Sequence, residues 1–241
     1  MVTAMKMRRT LYKKNSIPFL LLALIHIGVF IFTLKRRKQK DVWILFLTNT
    51  GLAYIFEYFT LNLFHGYKYK PGMMKKRTFD SILGAVLSQG FYVPVAATFL
   101  TIFKKNWIWK VSISLMYFYI EQLFKYLGIY KVYWWKSIYT PLLLNVYFYI
   151  SDGLDKALQA RKSWALKFAY FWAIDVVWVT LMYVFAKLRF IRFGRGRYHS
   201  WNEHFIIAPL YSLFLSFIVF FTSSKQGWVY RFLQLVRPYY Y

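Results

Sequence analysis

Only eight acidic residues stand against 33 lysines and arginines, a net charge of +25, so the setting of each carboxylate is informative. Three of them, Glu57, Glu121 and Asp175, interrupt long apolar runs. A carboxylate at lipid depth must find a partner, face water or stay protonated, which makes such positions candidates for function. Glu57 has no cation three or four residues away, so a charge partner has to come from another segment. The competing reading is a buried structural glutamate, hydrogen-bonded or protonated. Glu121 has Lys125 four residues on, the favourable helical orientation, and this favours a local structural pair. Asp175 stands eleven residues after Trp164, roughly 16 Å into a bilayer at helical rise. It is flanked by Trp172 and Trp178, whose indole N–H groups can donate to it. His26 is the one basic side chain at similar depth. We therefore expect His26, Asp175 and Glu57 to form one polar cluster, either a structural network or a proton or cation relay, against a simpler reading of one protonated Asp175 bonded for packing.

The remaining candidates lie at segment ends. Asp80 reads as the N-cap of an apolar helix. Asp152 and Asp155 make a D-x-x-D pair of the kind that holds a divalent metal on diphosphate, but with no second acidic cluster and with Lys156 nearby the spacing fits a solvated helix end better. His199, Glu203 and His204 invite a zinc site that would need His26 or His65 as a further ligand, and their spacing matches neither common zinc-helix motif. No nucleophile elbow or phosphate-cradling glycine loop occurs, so no catalytic, cofactor or metal site is assigned.

The elements that must position these groups are helices of membrane length. Apolar runs span about 17–34, 42–64, 81–103, 111–127, 164–186 and 205–221, with a doubtful one at 137–151 that is short and bounded by charge. The expectation is an all-α polytopic transmembrane helix bundle with six or seven spans in one integral membrane domain, the 137–151 segment being re-entrant or strongly tilted. Pro94 should kink its helix or free a carbonyl for another partner. Residues 225–241 carry Val229, Phe232, Leu233 and Val236 at helical spacing, an interfacial amphipathic tail. Most tryptophans fall near run ends, as an aromatic belt does.

At 59% hydrophobic and 24% aromatic, the chain is far more apolar than a soluble domain. Its cations are spread over every inter-span loop rather than gathered on one face, which excludes a nucleic-acid surface and makes anionic phospholipid headgroups the expected partners. With no cysteine, disulfides, thiolate catalysis and Cys-ligated metal are excluded. Loop charge counts place the N-terminus in the cytoplasm of a cell membrane, by a wider margin with six spans than with seven.

Residues Glu57-Tyr58, Tyr67-Lys68-Tyr69-Lys70-Pro71, Asp80-Ser81-Ile82-Leu83-Gly84-Ala85, Leu87-Ser88-Gln89, Ala97-Thr98-Phe99, Leu127-Gly128-Ile129-Tyr130 and Trp134-Trp135-Lys136 carry a resemblance. Over about 50–139 the chain resembles a family of small multi-spanning membrane proteins of Bacillus-type spore-forming bacteria. The resemblance implies a membrane location and nothing about chemistry. The functional expectation is a small transporter-like bundle or a membrane interaction partner that uses midplane carboxylates. An intramembrane enzyme acting on anionic lipid is the alternative.

Overall fold

The computed structural model describes residues 2–196 and 200–225, with side chains described for 15–196 and 200–222. The helices are α1 (Val2–Leu34), α2 (Gln39–Glu57), α3 (Arg77–Leu87), α4 (Val93–Ile102), α5 (Trp107–Tyr126), α6 (Tyr139–Gln159), α7 (Ser163–Lys187) and α8 (Trp201–Lys225). Two wide π turns continue the helical path, one from Tyr58 to Leu63 after α2 and one from Ser88 to Tyr92 joining α3 to α4. Five segments are long and apolar enough to cross a membrane: 15–34, 39–63, 77–102, 163–187 and 201–222. Their outer faces expose Leu20, Leu24, Ile31, Phe214 and Phe221. Water would not tolerate so continuous an apolar surface, and lipid covers it without cost.

One feature is not helical. Strands β1 (Tyr67–Tyr69) and β2 (Tyr130–Val132) pair antiparallel, with Tyr67 opposite Val132 and Tyr69 opposite Tyr130. The alternating Tyr-Lys-Tyr and Tyr-Lys-Val-Tyr runs carry this period-two signal. The ribbon ties the α2–α3 connection to the α5–α6 connection, so both lie at one end of the bundle. Ion pairs mark the opposite end: Arg37, between α1 and α2, donates to Asp155 of α6 at 2.8 Å, and Lys110 of α5 pairs with Asp152 of α6.

These two landmarks fix the course of α5 and α6. α5 starts at the ion-pair end with Lys110 and finishes at the ribbon; α6 starts beside the ribbon, where Trp135 donates to Thr140 at 3.2 Å, and reaches Arg37 with Asp155. Residues 139–151 of the doubtful 137–151 segment are thus the first part of an uninterrupted helix of 21 residues, Tyr139–Gln159. At 1.5 Å per residue it is about 30 Å long.

Two glycines allow close contacts that set this frame. A Cβ on Gly51 would lie 2.7 Å from Cβ of Trp172, so α2 and α7 touch nearly backbone to backbone. One on Gly84 would overlap Cβ of Tyr69, so the ribbon rests flush on α3. Pro94 cannot serve the Gly90 carbonyl, which accepts from Thr50 at 3.4 Å, and the wide turn just before the proline absorbs the mismatch.

Candidate functional site

Between α1, α2, the Ser88–Tyr92 turn, α5, α6 and the ribbon lies a cavity of about 350 Å³, within the range that holds a small ligand. Its wall is aromatic, with Phe19, Tyr69, Tyr117, Phe124, Trp135 and Tyr147 among the lining residues. The sequence scatters these rings over more than a hundred positions, and only the ribbon and the α5–α6 hairpin bring them together.

The cavity opens sideways. Phe56 of α2 and Leu143, Val146 and Ile150 of α6 line it and are exposed. At the ion-pair end Tyr147 closes the opening by donating to the Asn49 carbonyl at 2.8 Å. At the ribbon end Phe56 meets Trp135 at 6.0 Å between ring centroids. Between these closures the window spans about two helical turns, roughly 10 Å.

Two carboxyl groups serve this cavity. Glu121 lines it directly; Thr140 donates to its Oε2, and its Oε1 is buried without a hydrogen-bond partner. The local pair expected with Lys125 does not form, because Lys125 turns to Gln122 and Ser137, each at 3.1 Å. Glu57 stands behind the wall, where the lining residue Tyr67 donates to its Oε2 at 2.5 Å, and its Oε1 is likewise buried and unpartnered. Burial pushes the Tyr67, Tyr69 and Tyr130 hydroxyls well above the usual tyrosine range, and the Glu57 carboxyl pushes each the same way. They stay protonated, and Tyr67 uses its proton to donate to Glu57. Ser88 and Gln89, from the π turn, complete the polar part of the lining.

The expected cluster of His26, Glu57 and Asp175 divides. His26 sits behind the same cavity, its Nε2 2.8 Å from the hydroxyl of the lining Tyr117 and its Nδ1 2.7 Å from the Leu22 carbonyl. Asp175 belongs to the interface of α7 with α8 and accepts from Ser216 at 3.3 Å. It takes no bond from its flanking tryptophans: the Trp172 Nε1 is buried and unpartnered. Among the described residues no hydrogen bond or ion pair joins any two of the three.

The segment-end candidates among the described residues have structural partners. Asp80 is not the N-cap, since α3 begins at Arg77; its carboxylate accepts from the backbone N–H groups of Gly72, Met73 and Met74 at 2.8–2.9 Å and so shapes the loop before the helix. Asp152 is held by Lys110 and by Thr101 at 2.8 Å, not by Lys156. Asp155 is held by Arg37 through both oxygens, at 2.8 and 3.1 Å. Glu203 accepts from the Ser200 N–H at 3.1 Å while Ser200 accepts from the Glu203 N–H at 3.2 Å, a capping box that starts α8. His204 accepts from the Phe193 N–H at 3.0 Å. His199 and the 226–241 part of the amphipathic tail lie outside the described residues. Among the described residues no three metal-binding side chains come together.

Fold and site define a helical membrane protein with a side-opening aromatic cavity. Comparison with known protein families, with curated proteins and with solved structures finds no match to this chain.

Proposed function

We propose that the chain is a non-enzymatic, seven-span protein of the cell membrane, with its N-terminus in the cytoplasm, that takes a lipid-dissolved molecule into the α2–α6 cavity. It works as a small transporter-like bundle or as a membrane-embedded binding partner. The observation that carries this reading is the window itself: Phe56, Leu143 and Val146 line the cavity and are exposed at once, on a surface we read as facing the bilayer. Beyond the five long apolar helices, α5 and α6 each running between the ribbon end and the ion-pair end supports counting them as two further spans. The basic loops engage anionic phospholipid headgroups, and the resemblance to membrane proteins of Bacillus-type spore formers agrees with this setting. An enzyme acting on anionic lipid is less well supported, because Asp152 and Asp155 are both occupied by cations and Glu203 by its helix cap.

Seven spans predict that cysteines placed at Lys136 and Trp164 react with a membrane-impermeant reagent from opposite sides of intact cells. Labelling of both from the same side would contradict the arrangement. The cavity reading predicts that a photoreactive alkyl chain dissolved in nanodisc lipid marks Leu144 and Tyr147, which line the cavity, as well as the outer rim at Val146. Marking confined to outward side chains such as Leu24 and Phe214 would sink it.

A further inference from the structure

The cavity has a polarity that apolar volume alone does not explain. In a chain of net charge +25, the wall carries an acid, Glu121, with one oxygen bonded to Thr140 and the other buried and unpartnered. A second unpartnered carboxyl oxygen, on Glu57, lies just behind Tyr67. Among the described residues no lysine, arginine or histidine lines the cavity. Leaving a buried acceptor unsatisfied is costly, more so for a charged group, so an occupant that donates there gains what the empty site lacks. The surrounding rings add a second preference, because the negative faces of aromatic rings attract cations, and ammonium groups are the ligands such cages suit.

We infer that the occupant is an organic cation: an apolar chain ending in a protonated amine, entering through the α2–α6 window and placing its ammonium against the free oxygen of Glu121. This rests on the cavity reading above and adds the class of head group. An anionic amphiphile would bring its charge against Glu121 with no compensating donor beyond neutral hydroxyl and amide groups. A neutral alcohol could donate one hydrogen bond but would gain little from the rings. The apolar walls, Phe124, Leu143 and Leu144 among them, take the chain.

The test uses the full-length protein in nanodiscs and the photoreactive alkyl chain as reporter. Dodecylammonium, dodecanol and dodecanoate are added as competitors at matched mole fraction in the bilayer. Dodecylammonium is expected to suppress marking of Leu144 and Tyr147 at a concentration at least tenfold below dodecanol, with dodecanoate weaker still. In Glu121→Gln the advantage of the amine over the alcohol should vanish. Equal potency of the three competitors, or a lead for the anion, would overturn the cationic occupant while leaving the cavity reading intact. No marking of the cavity in the unmodified protein would overturn both. The competitor series on the unmodified protein decides the matter even if the variant fails to fold.

Discussion

Asp152→Ala is expected to destabilise the protein by about 3–5 kcal/mol, the cost of removing one partner of a buried ion pair. The side chain of Lys110 is only 3% exposed, against 28% for Asp152. Without the carboxylate its ammonium keeps only the face of Tyr149, 4.0 Å from the ring centre. The reverse change is milder. Lys110→Met leaves Asp152 more exposed and still bonded to Thr101 at 2.8 Å, so about 1–3 kcal/mol is expected. Lys110→Met combined with Asp152→Leu should recover most of the loss, since no buried charge is left alone. Thermal unfolding in detergent, followed by size-exclusion chromatography, orders the three variants. Equal and small losses for the two single variants would mean that water reaches the pair.

Gly51→Ala is the second large effect, with about 1–3 kcal/mol lost to overpacking. The added methyl would meet the Cβ of Trp172 at 2.7 Å as well as its ring. No side-chain rotation moves a Cβ, so α2 and α7 would have to part. Trp172→Leu added to Gly51→Ala should therefore restore only part of the stability, because it removes the ring clash and not the Cβ one. Full rescue would show that the helices are farther apart than this contact implies.

Five helices long and apolar enough to cross a membrane were legible in the sequence, because lipid demands unbroken apolar length and that is a local property of the chain. The bonds of the acids were not. The i+4 rule assigns Glu121 to Lys125 and Asp152 to Lys156, yet Glu121 binds Thr140 and Asp152 binds Lys110, each on a different helix. A buried carboxylate gains more from a partner across a desolvated interface than from a flexible neighbour at the surface of its own helix. Asp80 shows the same limit at short range, since its three backbone donors come from the loop before the helix. The ribbon left a trace in its alternating tyrosines, but a three-residue strand is stable only once its partner, more than sixty residues away, is beside it. The π turns have no sequence signature here beyond Pro94. The cavity has none at all, because it is the space left where distant helices diverge between the Tyr147–Asn49 bond and the Phe56–Trp135 contact.

The central claim, that the cavity communicates with the bilayer between α2 and α6, is tested most directly by an electron cryomicroscopy structure of the full-length protein in lipid nanodiscs. The account predicts elongated density passing between Phe56 and Val146 and ending near Glu121. Helices α2 and α6 closed on each other along that length, with Glu121 bonded through both oxygens to protein groups, would contradict it.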